Sequence, residues 1–115
     1  MTHIHVIDGD AAMRLTVRRV LEPAGFAVTE AASEEYVAPI SPELVIAAVT
    51  AARLAAIRRR HPGTRILTIN DAGIAPTEGR LLAGELDKPF TPSQLLGAVR
   101  RCLALPRATT GRRGR

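Results

Sequence analysis

The chain has one cysteine, no tryptophan, one tyrosine, two phenylalanines and, at Lys88, a single lysine against 15 arginines. The lone Cys102 excludes an internal disulfide framework. Aromatics make up 3% of a chain that is 46% hydrophobic, so the core has to be built from Leu, Val, Ile and Ala. No apolar run approaches the roughly 20 residues of a membrane span. The N-terminus also lacks the basic-then-apolar layout of a signal peptide. At 115 residues there is material for one core and not two, and the expectation is a cytoplasmic domain with no membrane association. A further absence is local: residues 44–70 contain no Asp or Glu at all.

Charge of one sign is in excess, with a net of +5, but the excess has an address. Residues 107–115, "RATTGRRGR", hold four arginines and no acid, and without them the remaining residues carry 12 basic groups against 11 acidic ones. The sequence therefore divides into a body, 1–106, and a basic tail, 107–115, whose composition predicts disorder. The body shows no basic stripe interleaved with aromatics. Nucleic-acid binding is not the main expectation, and its one route would be non-specific attraction of phosphates to the arginine tail.

Along the body, short apolar runs alternate with helical patterns. Ile4–Ile7 predicts a buried strand ended by Asp8-Gly9-Asp10, with Asp10 placed to cap the helix that follows. Met13, Val17, Val20, Leu21 and Ala24 recur at helical spacing until Pro23 and Gly25 stop them. "FAVTE" (26–30) alternates as a strand, and "SEEYV" (33–37) predicts a short helix. "ELVIAAV" (43–49) is apolar throughout, as a strand buried on both faces would be. "TAARLAAIRRR" (50–60) predicts a helix capped by Thr50, "RILTI" (65–69) a strand, 72–77 a Gly/Pro loop and "EGRLLA" (78–83) a short, weak helix. After a brief strand in "ELDKPF" (85–90) comes the clearest helix start, "TPSQ". There Thr91 is the N-cap, Pro92 the first helical residue and Gln94 the partner in a capping box. Leu95, Val99, Cys102 and Leu103 form that helix's buried face.

Five strand–helix units in alternation imply an α/β fold with a parallel sheet and helices on both faces. In such folds the ligand crevice lies beyond the carboxyl ends of the strands, where strand order reverses. Asp8-Gly9-Asp10, Ala47–Thr50, Asn70-Asp71 and Lys88 all fall at strand ends and are expected to cluster there.

Four passages in this order, "HVIDGDAAMR", "LEPAGFAVTEAAS", "PELVIA" and "DKPFTPSQLLGAVRRCL", resemble the response-regulator receiver domain of two-component signalling, over nearly the whole chain to about Leu105. The resemblance implies a flavodoxin-like, doubly wound (βα)5 three-layer sandwich with sheet order 2-1-3-4-5, in a bacterial phosphorelay. Receivers of this kind hold Mg²⁺ on acidic residues after the first strand and take a phosphoryl group on an aspartate ending the third. They bind its oxygens with a Thr or Ser after the fourth strand and a Lys after the fifth.

Carried over residue by residue, the set is incomplete. Asp8 matches the first acidic position and Asp10 a third, but Gly9 stands where the main Mg²⁺-binding aspartate would be. Ala48 occupies the phosphoacceptor position, and the acid-free stretch 44–70 means that no shift of alignment replaces it. Glu43 lies at the start of the strand, about 16 Å away at ~3.3 Å per residue. Asn70 replaces the hydroxyl residue, Glu85 sits at the aromatic switch position, and Lys88, with Pro89 and Phe90, matches the Lys-Pro-Phe element, whose Lys-Pro bond is typically cis in receivers. The resemblance thus points to a pseudo-receiver with no catalytic residue, not an enzyme. No cofactor is expected, Asp8 and Asp10 being the only remaining candidates for Mg²⁺. Its action would be contact with a protein partner, or with itself, through the fourth helix, fifth strand and last helix.

Each singled-out residue also has a plainer role. Asp10 serves as a helix cap and Asp8 as an ion-pair partner for Lys88. His3 and His5 alternate on a strand without a third ligand at matching spacing, which suggests strand-end or surface histidines. Cys102 reads as a buried hydrophobe, Thr50 as a cap, and "RRRH" (58–61) as a solvated helix end whose charges suit the dipole. The alternative function is a small-ligand or anion sensor that reuses the crevice of Asp8, Ala48, Asn70 and Lys88, enlarged by the alanine.

Overall fold

The structure is a computed structural model and describes residues 1–33, 35, 41–48, 51–70 and 83–106. Its elements in chain order are β1 (His3–Asp8), α1 (Ala11–Leu21), β2 (Ala27–Ala31), β3 (Leu44–Ala48), α2 (Ala51–Arg60), β4 (Arg65–Asn70), β5 (Gly84–Asp87) and α3 (Pro92–Ala104). All strand pairings are parallel, in the order β2-β1-β3-β4-β5. The parallel sheet and its order agree with expectation, and the described residues hold five strands and three helices. The helix expected at 33–37 lies, apart from Ser33 and Glu35, outside the described residues, as do Thr50, Asp71, the 72–77 loop, the 78–82 part of the weak helix and the tail 107–115.

Strand alternation sorts the core into two layers. Ile4, Val6, Leu44, Ile46, Leu67 and Ile69 point to one face, where Val17 and Leu21 of α1 and Leu95, Ala98, Val99 and Cys102 of α3 cover them. Ile7, Val45, Ala47 and Ile66 point to the other face, against Leu54 and Ile57 of α2. The core consists of aliphatic side chains and Cys102, as the scarcity of aromatics requires. Cys102 is 2% exposed, and burial pushes its thiol pKa upward, which leaves it an inert packing group.

The helix ends obey local chemistry. The side chain of Asp10 accepts the Ala12 N–H at 2.9 Å. Thr91 Oγ1 accepts the Gln94 N–H at 3.1 Å while Gln94 Oε1 accepts the Thr91 N–H at 2.8 Å, the reciprocal box that "TPSQ" predicts. α1 stops at Leu21, three residues before the expected Ala24, because Pro23 cannot donate and the chain turns through Gly25 at φ 101°. Ala24 is accordingly exposed. β5 is brief and ends at Asp87, leading into Lys-Pro as expected, with the Lys88–Pro89 bond cis.

Two expectations about surface groups are wrong. His3 does stand at a strand end, the start of β1, but it and His5 are not surface groups: they are 8% and 0% exposed, because β1 lies between β2 and β3 and both of its faces are covered. The "RRRH" end is only half solvated. Arg59 and Arg60 are exposed, but His61 is buried and Arg58 donates from Nη1 to the carbonyls of His61 (3.1 Å) and Thr64 (2.6 Å), tying off the end of α2.

Candidate functional site: a crevice without its acids

The β2-β1-β3 order puts the reversal of winding between β1 and β3, and there Asp8 pairs in register with Ala48. The two side chains stand side by side at the carboxyl ends of neighbouring strands. Asp8 is 6% exposed, with Oδ1 accepting the Asp10 N–H at 2.9 Å and Oδ2 buried without a hydrogen-bond partner among the described residues. Asp10 is exposed and turned into its capping bond. Asn70 ends β4, and its backbone carbonyl accepts the Lys88 N–H at 2.8 Å, which brings Lys88 to the same edge. The topology thus gathers Asp8, Gly9, Asp10, Ala48, Asn70 and Lys88 at one end of the sheet, as expected.

The expected Asp8–Lys88 ion pair is not formed; it is not among the ion pairs of the described residues. Asp8 is instead folded back on its own loop, where the nearer N–H of Asp10 takes one carboxylate oxygen. Asn70 is also committed elsewhere: its Nδ2 donates to Glu85 Oε1 at 3.0 Å across β4 and β5. Two positions that would carry a hydroxyl and an aromatic ring in a receiver are here joined by a hydrogen bond.

Mg²⁺ demands near-octahedral oxygen coordination and is held in proteins by carboxylates that fix several waters. The residues present do not fit that need. Gly9 and Ala48 supply no oxygen from a side chain, Asp8 has one oxygen engaged, and Asp10 is spent on the helix cap. Among the described residues there is no group of three His, Cys, Asp or Glu side chains arranged to hold a metal.

One functional neighbour was missed from sequence. Arg14, on the first turns of α1, donates from Nη1 to the Asp8 carbonyl at 2.6 Å and from Nε to Glu30 Oε1 at 2.9 Å. Arg18 completes the cluster, reaching Glu30 Oε2 at 2.8 Å and Glu22 Oε2 at 2.9 Å. Hydrogen bonds from Arg18 and Arg14 hold the Glu30 carboxyl below its ordinary pKa. The four-residue spacing of Arg14, Arg18 and Glu22 is a helical-face signal that could have found part of this network. Glu30 on β2 could not have been found that way.

Beside the crevice, a cavity of about 490 Å³ opens between α1 and the β5–α3 turn, lined by Met13, Thr16, Lys88, Pro89 and Phe90. A second hollow of about 540 Å³ runs along the β5–α3 face past Leu86, Asp87, Ser93, Gln94 and Arg101.

Set against known structures, this fold is that of response-regulator receiver domains of the CheY-like type. NtrX from Brucella abortus, in a crystal structure with ADP, superposes with a TM-score of 0.78 at 23% identity over 90% of this chain, which spans 26% of the NtrX chain. A response regulator receiver protein from Burkholderia phymatum gives a TM-score of 0.77 at 21% identity, covering 93% of this chain and 98% of its own. The chemotaxis protein CheY4 of Vibrio cholerae gives 0.75 at 23% identity, covering 89% and 98%. No protein-family model matches the sequence, and no curated protein matches it either.

Proposed function

We propose that this domain is a receiver-type module of two-component signalling that works without aspartyl phosphorylation, as a non-enzymatic pseudo-receiver acting through protein contact. One observation carries the reading: Ala48 stands in register beside Asp8, where a receiver would present its phosphoacceptor. Transfer of a phosphoryl group to a carboxylate needs the nucleophile and a cation to neutralise the crowded charge. Neither the nucleophile nor a fitting cation site is supplied by the described residues. The Asn70–Glu85 bond supports the same reading, because it engages the β4 end away from any phosphoryl oxygen.

The contact surface belongs to β5 and α3, where Asp87, Gln94 and Arg101 offer hydrogen-bonding and charged groups around a shallow hollow. Incubating the full chain with acetyl phosphate and Mg²⁺ and weighing the intact protein tests the reading. Unchanged mass is the expected result, and a phosphoryl adduct would overturn it.

The second reading, a small-ligand or anion sensor, was expected in the crevice of Asp8, Ala48, Asn70 and Lys88; what favours it is a neighbouring cavity that shares only Lys88 with that set, with apolar walls from Met13, Pro89 and Phe90. Thermal shifts with amphipathic anions that disappear in Lys88→Ala would support it, and a melting curve indifferent to all of them would reject it.

A further inference from the structure

At the end of the sheet opposite the crevice, three histidine rings meet on the face covered by α2. His3 and His5 lie two residues apart on β1 and so project from one face. His61 follows directly on the last residue of α2. The three are 8%, 0% and 6% exposed. The Thr29 hydroxyl on β2 sits 2.8 Å from His3 Nε2 and 2.7 Å from His5 Nδ1. The rings of His5 and His61 are 6.0 Å apart between centroids, inclined at 44°. One hydroxyl carries one proton, so between two neutral rings Thr29 donates to one and accepts from the other, and the two tautomers are set as a pair. His3 Nδ1 and His61 Nε2 are buried with no hydrogen-bond partner among the described residues.

The surroundings suit neutral rings and oppose charged ones. From α2 come Arg58, bonded to the His61 and Thr64 carbonyls, and Arg60. From the start of β3 comes one carboxylate, Glu43, which accepts the backbone N–H of His3 at 3.2 Å; from β4 comes Arg65, whose Nη1 donates to the Glu43 carbonyl at 3.2 Å. β3 and β4 otherwise present Val45, Ala47, Ile66 and the buried Thr68 to this face. Burial first, then the proximity of His61 and His3, lowers the His5 pKa to about 4. Burial, Arg58 and Arg60 lower that of His61.

Among the described residues, α2 meets this face of the sheet through Leu54 and Ile57, which pack with Ile7, Val45, Ala47 and Ile66.

We propose that the His3–His5–His61 cluster is an acid-sensitive latch: proton uptake from solvent by His5 and His61 releases α2 from the sheet while the α1–sheet–α3 half stays folded. Protonation of His5 fixes its Nδ1 as a donor, so that Thr29 accepts from it and turns its own proton to His3 Nε2. It also sets the two imidazoliums against each other and against the arginines of α2, with Glu43 as the one acid among the described groups around them. The repelling charges sit on β1 and at the end of α2, so α2 is the element driven from the sheet. The latch is independent of the reading of the crevice, which lies at the other end of the strands.

Hydrogen exchange of the full chain, measured by mass spectrometry at about pH 7 and about pH 5 and corrected for intrinsic rates, tests this directly. Peptides covering 51–64 are expected to lose protection by about tenfold or more at the lower pH, while those of α1 and α3 change less than about twofold. In His61→Gln, which keeps a polar side chain that does not titrate, the acid loss over 51–64 is expected to shrink by about threefold or more. Equal loss in every element, no loss over 51–64, or the same loss in His61→Gln as in the parent would each overturn the proposal. The wild-type comparison decides the matter even if the variant does not fold.

Discussion

At the scale of single residues, the crevice has room at Gly9 and Ala48 for side chains larger than those present. A Cβ added at Gly9 would meet only the Ala32 carbonyl oxygen, at 4.0 Å, an ordinary contact. Ala48 is half-buried at the strand end. Carboxylates can therefore be placed there. In Gly9→Asp combined with Ala48→Asp, Asp8 gains two acidic neighbours, and their repulsion calls for a cation. We expect that variant to be less stable than the parent in a metal-free buffer. It should gain several degrees of melting temperature on adding Mg²⁺, with no Mg²⁺ effect on the parent; thermal denaturation with and without the ion checks it. Arg14 makes a second residue-scale prediction. It is partly buried, with side-chain exposure of 17%, and holds both the Asp8 carbonyl and Glu30. Arg14→Ala should cost about 1–3 kcal/mol in urea unfolding, mostly from leaving Glu30 and a strand-end carbonyl underbonded. That Gly9, and not an acid, stands between Asp8 and Asp10 was plain in the sequence because it concerns which residue is present. That Asp8 bonds to Asp10 and not to Lys88 was not, because the choice turns on which donor is nearest in space.

At the scale of elements, β5 is held against α3 by the lack of a side chain. At Gly84 a Cβ would come within 3.1 Å of Cys102 Sγ and 3.5 Å of Leu67 Cδ1, both in the core. Gly84→Ala must push the edge strand and α3 apart, and a loss of about 1–3 kcal/mol is expected. The companion variant Gly84→Ala with Cys102→Ala should recover much of it, because the methyl then has room; chemical denaturation of both variants is the measurement. The helix starts were the most legible elements, since a cap is a contact between residues two or three apart. The end of α1 moved by three residues, from Ala24 to Leu21, where Pro23 changed the path of the chain. The inward position of His3 and His5 follows from the order 2-1-3-4-5 that the resemblance implies, since it makes β1 central; the polarity of the two side chains pointed the other way.

For the whole molecule, acid is the informative variable. His5 is fully buried and its folded pKa, about 4, lies below the ordinary 6.5. Between those values the unfolded chain binds a proton that the folded chain does not, so stability rises with pH across the window and is lost on acidification from 6.5 toward 4. A shift of that size corresponds to roughly 3 kcal/mol for His5 alone, and His61 acts in the same direction. Glu30, whose pKa is lowered, adds a separate loss in a lower window, below its ordinary 4.5, as its pairs with Arg18 and Arg14 are protonated away. Urea midpoints measured from neutral pH down to about 4.5 should fall steadily, with a shallower fall in His61→Gln. Much about this protein could be known from the order of its residues. The alternation of strands and helices, the capped last helix, the single lysine next to Pro-Phe and the absence of any acid between 44 and 70 are properties of the chain itself. The want of a carboxylate at the end of β3 holds for any fold the chain adopts. The pairing of Asn70 with Glu85, the arginine clamp on Glu30, the bridging of His3 and His5 by Thr29 and the approach of His61 to His5 were decided by tertiary structure. Each joins side chains from separate elements, and only the packing of the sheet and its helices sets which of them come within reach.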